Sequence, residues 1–181
     1  MLKRFFIYLL LPIILLSGVA TFATSPATAA TQYLSRSVPM NLSIPSIGVK
    51  AKIIKLGLDP VGALEVPKTG NIAGWYTGSP SPGEICPTII VAHVDMNGKE
   101  GVFFRLKNMK VGDVVKVQRA DKEVVTFKVT EVSTFKKSKF PTEKIYGNLN
   151  FAGLRLITCG GKFDSKIGHY DSNVVVYAKK I

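Results

Sequence analysis

The chain has 181 residues, 46% of them hydrophobic, and 24 Lys and Arg against 12 Asp and Glu, a formal net charge of +12. That length suits one folded domain once the N-terminal segment is set aside. The basic residues are scattered, and the densest run, Phe135-Lys136-Lys137-Ser138-Lys139-Phe140, is short and isolated, so no nucleic-acid partner is expected.

The chain opens with Met1-Leu2-Lys3-Arg4 and then an uncharged, mostly apolar stretch from Phe5 to Ala23. As a helix at about 1.5 Å per residue, that stretch is long enough to span roughly 30 Å of hydrocarbon. The basic residues in front of it predict a cytoplasmic N-terminus and an exported remainder. Ala27-Thr28-Ala29, followed by Ala30, has the small-residue pattern of a signal-peptide cleavage site. The apolar run exceeds the usual signal core of about 7–15 residues, which favours an uncleaved anchor. The expected division is a signal-anchor or transmembrane segment at 1–25, a stalk at 26–37 and a folded domain at 38–181.

The exported part reads as all-β: short apolar runs recur between Gly, Pro, Asn and Asp punctuation. Expected strands are Met40–Ile44, Ala51–Leu56, Thr88–Ala92, Val114–Arg119, Val124–Val132, Leu154–Thr158 and Asn173–Ala178. The runs at 114–119 and 124–129 flank the polar Ala120-Asp121-Lys122-Glu123 and predict a hairpin. Short helical turns are expected at Val102–Leu106 and Thr142–Tyr146. Many short strands without a long helix point to a closed barrel or a sandwich.

The chemistry rests on two strand ends. Leu154-Arg155-Leu156-Ile157-Thr158 ends in Cys159-Gly160-Gly161, and Thr88-Ile89-Ile90-Val91-Ala92 ends in His93-Val94-Asp95. A rigid strand giving way to a loop is where a scaffold presents reactive side chains. Thiols are intrinsically nucleophilic, and a neighbouring imidazole can hold the thiolate or donate a proton to a leaving amine. Cys159 with His93 is therefore sufficient for acyl transfer through a thioester, and the two glycines leave room for a substrate backbone. Asp95, two residues beyond His93, is the carboxylate expected to orient the imidazole.

Other readings of these residues compete. A strand cysteine is commonly a small core residue. A disulfide would need Cys86, which sits at the far end of the histidine's strand, about 20 Å from His93 at roughly 3.3 Å per residue. His93, Asp95, His169 and Asp171 lack any metal-site spacing, so neither metal nor cofactor is expected. His169-Tyr170-Asp171 reads as a loop lining the site or a solvated turn, and Trp75-Tyr76 as packing.

Taken together, these segments resemble the sortase transpeptidases of Gram-positive cell envelopes, most closely those labelled class F. The resemblance runs through Leu42-Ser43-Ile44-Pro45-Ser46-Ile47-Gly48-Val49, Leu56-Gly57-Leu58-Asp59, Gly62-Ala63-Leu64-Glu65-Val66-Pro67, Gly74-Trp75-Tyr76 and Pro82-Gly83-Glu84. It continues through His93-Val94-Asp95, Cys159-Gly160-Gly161, Gly168-His169-Tyr170 and Asn173-Val174-Val175-Val176-Tyr177-Ala178. It implies a closed eight-stranded β-barrel with short helical turns behind a membrane-proximal N-terminus. It also implies cleavage of an LPxTG-like sorting-signal peptide, with Cys159 as nucleophile and His93 as general acid/base. The acyl group would pass to an amine acceptor such as a peptidoglycan precursor. The location implied is the cell membrane, single-pass with the domain outside, or secreted if the signal is cleaved.

One element of the family pattern is missing. Sortases place an arginine near the start of the strand after the cysteine, whereas this chain has no arginine after Arg155. His169, Tyr170, Ser172 and Asn173 are neutral-donor candidates for the oxyanion role, with Arg155 and Arg105 as alternatives. Asp171 would oppose developing negative charge. Two further readings stay open: a Cys/His peptidase without transfer, and a silent sorting-signal-binding module.

Overall fold

In the computed structural model, residues 33–181 are described. The expected anchor at 1–25, and most of the expected stalk, lie outside these residues. The strands are β1 (Pro39–Ile44), β2 (Val49–Leu56), β3 (Ala73–Tyr76), β4 (Cys86–Val91), β5 (Asp95–Met96), β6 (Lys99–Glu100), β7 (Val114–Arg119), β8 (Val124–Lys136), β9 (Ala152–Asp164) and β10 (His169–Lys180). One short helix, α1 (Thr142–Tyr146), precedes β9.

Eight strands close into a barrel in the order β1-β2-β3-β4-β9-β10-β8-β7, with β7 pairing back onto β1; β5 and β6 form a separate small hairpin. Closure removes the exposed edges that an open sheet would carry. Two neighbouring pairs are parallel, β2 with β3 and β4 with β9. The expected hairpin forms between β7 and β8. The helical turn expected at 142–146 forms as α1, and the segment expected to turn at 102–106 does so as hydrogen-bonded turns that run into a 3-10 turn at Leu106–Asn108.

Strand alternation explains two cores. Even-numbered residues of β9 and β10, Leu154, Leu156, Val174 and Val176, point into the barrel beside Ile90, Phe127 and Phe103. Odd-numbered Ile157, Val175 and Tyr177 face outward, where with Ile89 and Val91 they form a second apolar cluster. Ile145 of α1, fully buried, caps that cluster, together with partly buried Leu64, Tyr76, Phe135 and Phe140. Both faces of β4 and β9 are thus covered, so their sequences read as continuous apolar runs without alternation. The outer cluster is the floor on which the site is built.

Candidate functional site

The site follows from strand register. In the parallel β4–β9 pair Val91 lies opposite Ile157. The match continues past the end of β4, with the Ala92 N–H donating to the Ile157 carbonyl (3.3 Å) and the Thr158 hydroxyl donating to the Ala92 carbonyl (2.8 Å). One residue further, His93 falls beside Cys159. On the other side, Cys159 pairs with Asn173 of β10, and Asn173 with Phe135 of β8. Neighbouring strands lie about 4.8 Å apart, so His93, Cys159 and Asn173 form one row across three strands. All three are half-buried and line the same cleft of about 510 Å³. Its apolar walls include Leu64, Val66, Phe140 and Ile157.

His93 is held by its backbone and by its ring. Its carbonyl accepts the Phe103 N–H (3.0 Å), while Gly101 donates to the Val94 carbonyl (2.8 Å). A Cβ at Gly101 would stand 2.3 Å from the His93 carbonyl oxygen, so this approach requires glycine. The ring Nε2 lies 2.6 Å from the Pro67 carbonyl oxygen. A carbonyl can only accept, so Nε2 carries a hydrogen whatever the charge of the ring. Nδ1 is left as the nitrogen that gains and loses a proton. The sequence offered Asp95 as the orienting group; instead Asp95 accepts a hydrogen bond from the Tyr170 hydroxyl, which raises the tyrosine's pKa. That bond ties the β5 hairpin to β10, and the ring of Phe163 packs edge-on against Tyr170 at 5.2 Å.

Beyond Cys159, β9 and β10 pair through an irregularity between Tyr170 and Ser172. Gly161 adopts φ +78°, and a Cβ there would lie 2.2 Å from Asp171 Oδ1. Asp171 accepts hydrogen bonds from Lys136 Nζ (2.5 Å), Ser172 Oγ (2.6 Å) and the Lys162 N–H (3.1 Å). These partners, Lys136 foremost, pull its pKa down to about 2. Its charge is thus compensated by Lys136, and the side chain does not line the cleft.

The other oxyanion candidates separate cleanly. His169, Tyr170 and Asn173 line the cleft, and Asn173 alone is in register with Cys159. Ser172 is buried, pairs with Gly160 and donates to Asp171, so it is outside the cleft. Arg155 also departs from expectation: it shares the outer face with Cys159 but lies four residues earlier, about 13 Å along the strand, stacked on Tyr177 (4.5 Å). Arg105 pairs with Glu100 at 3.0 Å, away from the cleft.

Both cysteines are free. Cys86 pairs with Ala152, seven residues before Cys159 on β9, so a bridge would have to cross about 23 Å. Among the described residues no three His, Cys, Asp or Glu side chains converge on a common point. Trp75 is buried and donates from Nε1 to the Pro80 carbonyl (3.2 Å), the packing role its sequence context suggests.

The arrangement supplies a nucleophile, an oriented proton carrier, an amide donor and an apolar-walled cleft of about 510 Å³. Among solved structures, sortase A of Corynebacterium diphtheriae (lid mutant) is similar at 20% identity and a TM-score of 0.63, over 82% of this chain and 72% of that one. The pilus-related sortase C of Group B Streptococcus is similar at 22% identity and a TM-score of 0.60, over 82% and 69%. Sortase C1 of Streptococcus suis is similar at 18% identity and a TM-score of 0.61, over 81% and 73%. These likenesses establish the barrel as the sortase fold. No curated protein sequence matches. The sortase-domain profile matches residues 42–181, which is most of the chain and nearly all of its described part, and the protein therefore belongs to the sortase family of cysteine transpeptidases.

Proposed function

We propose that this chain is a class F sortase, anchored in the cell membrane by its N-terminal segment with the barrel outside. It cleaves an LPxTG-like sorting signal between Thr and Gly and transfers the new acyl group to an amine acceptor of the cell envelope, such as a peptidoglycan precursor. The observation that carries this reading is the single row His93–Cys159–Asn173 inside one apolar-walled cleft.

The Cys159 thiolate attacks the threonine carbonyl carbon, forming a C–S bond and a tetrahedral oxyanion. The Asn173 carboxamide, in register with the nucleophile, donates an N–H to that oxygen in place of the family's arginine. As the C–N bond breaks, His93 Nδ1–H gives its proton to the departing glycine amine, leaving a thioester on Cys159. The acceptor amine then attacks the thioester carbon, His93 Nδ1 takes the amine proton, and the cysteine leaves as thiolate. The bond from Nε2 to the Pro67 carbonyl keeps the ring aimed through both half-reactions.

Product analysis with an LPxTG-type peptide tests the reading. With an added amine nucleophile, an amine-linked threonyl product is expected to dominate; without it, slow hydrolysis. Hydrolysis unaffected by the amine would convert the assignment to a peptidase. Tight peptide binding with no cleavage would make the barrel a binding module.

A further inference from the structure

The guanidinium of Arg155, stacked on Tyr177, is short of hydrogen-bond partners. Its residue is 5% exposed, yet of its five N–H donors one is used, Nη1 to the Leu154 carbonyl at 3.2 Å. Nε is buried without a partner. The Tyr177 hydroxyl, on the ring under the guanidinium, is buried without a partner too. A buried charge with its donors unmet is costly unless something else meets them.

The second buried arginine shows the contrast within one chain. Arg119, 2% exposed, binds the Asp121 carboxylate (2.6 Å) and the carbonyls of Pro82 (2.5 Å) and Ser35 (2.6 Å). Arg119 has an acid and two carbonyls as partners within its own fold; Arg155 has a single carbonyl.

Arg155 also faces open space. With Tyr177, Lys144, Asn148, Glu131 and Glu143 it lines a cavity of about 380 Å³ that shares no lining residue with the catalytic cleft. Lys144 lies over the same Tyr177 ring at 4.8 Å. The one acid that acts on Arg155, Glu131, is already engaged by Lys144 (2.6 Å) and Ser133 (2.5 Å). Neither Glu131 nor Glu143, the two acids of the lining, forms an ion pair with Arg155, although the Glu131 charge acts on it. Burial correspondingly pulls the Arg155 pKa down and pushes Tyr177 up to about 12.

We propose that this cavity is a carboxylate-binding site, separate from the catalytic cleft, in which Arg155 grips the ligand and Lys144 supports it. The planar guanidinium matches the two oxygens of a carboxylate. Glu131 and Glu143 in the same lining disfavour a dianion, so a monoanionic carboxylate fits better than phosphate. A cavity of this size holds more than acetate, in keeping with a carboxylate on a peptide side chain or C-terminus.

The test is titration of the arginine Nε–H resonances of ¹⁵N-labelled full-length chain in detergent. The Cys159→Ala form is used, so that the result is independent of catalysis. The Arg155 resonance is assigned by its disappearance in Arg155→Lys, and Arg119 is the internal control. Sodium acetate, N-acetylglycine (a terminal carboxylate) and N-acetylglutamic acid α-amide (a side-chain carboxylate) are compared with sodium chloride and phosphate at equal ionic strength. The expected result is a saturable shift of Arg155 and not Arg119 with the carboxylates. The tighter of the two peptide-like probes identifies the source, and Arg155→Lys weakens binding, followed on neighbouring amides, at least tenfold. No saturable shift, or the same shift with chloride, would show a water-filled cavity and overturn the proposal. Phosphate binding as tightly as acetate would overturn the carboxylate assignment.

Discussion

The two faces of β4, β9 and β10 do different work with the same strands. Inward, Ile90, Leu154, Leu156, Val174 and Val176, each under 5% exposed, form an apolar surface interrupted by the buried Thr88 and Thr158. Outward, the apolar stretch is confined to the middle, around Ile157, Val175 and Ile145. It ends in His93, Cys159 and Asn173 at one end and in Arg155 and Tyr177 at the other. The inner face supplies stability and keeps its few polar groups, the Thr88 and Thr158 hydroxyls, away from water; the outer face, half-covered by α1 and loops, can keep functional groups partly wet. Rigidity of the inner layer is what lets a side chain two residues past the end of β4 be positioned by register.

This contrast predicts that substitutions on the two faces damage different quantities. The largest effect is expected for Cys159→Ala, which leaves folding intact and removes the thioester; where the nucleophile of a comparable catalytic set is deleted, turnover falls on the order of 10⁶-fold. Next, Leu156→Ala on the inner face should cost about 2–5 kcal/mol of stability, read as a lower urea midpoint, while the kcat of the remaining folded enzyme stays near wild type. A large kcat loss at unchanged stability would erase the distinction between the faces.

Asn173→Ala sharpens the comparison from the other side. It should lower kcat about 10²–10³-fold through loss of one oxyanion donor, with KM and the unfolding midpoint nearly unchanged. An unchanged kcat would move the oxyanion role to Tyr170 or His169.

The smallest effect concerns Asp171, whose folded pKa of about 2 lies below the ordinary 3.8. A depressed carboxylate stabilises the fold above its unfolded pKa, and that contribution fades as pH falls from about 4 towards 2. In Lys136→Met the Asp171 carboxyl should titrate closer to 3.8, and acid unfolding between those values should flatten. A ¹³C titration of the Asp171 carboxyl checks this directly.

Much of this architecture is legible from residues alone. Val114–Arg119 forms as expected, and so does the hairpin following it, because alternating β-branched residues flank a polar turn. Cys159 and His93 stand out because each closes an apolar run. β3 (Ala73–Tyr76) escapes notice: it is four residues long, contains Gly74, and is held by parallel pairing to β2. β9 and β10 run further than their apolar cores, to Asp164 and back from His169, because their exposed ends pair with each other and need no burial.

The partners of the site residues are harder to read. The acceptor for His93 is a backbone carbonyl 26 residues upstream, and a carbonyl leaves no trace in residue type. Gly101 and Gly161 owe their identity to close approaches visible only in three dimensions. Arg155 looks close to Cys159 in sequence, but four strand residues are about 13 Å. Asn173 was one donor among several until register set it opposite the nucleophile.

The most direct test of the account is intact-mass spectrometry of the enzyme quenched with acid during turnover of an LPxTG-type peptide. The account predicts an adduct equal to the peptide's mass through threonine, less water, localised to Cys159 by fragmentation and absent in Cys159→Ala. In His93→Ala the adduct should form far more slowly. An adduct on another residue, or cleavage that persists in Cys159→Ala, would contradict it.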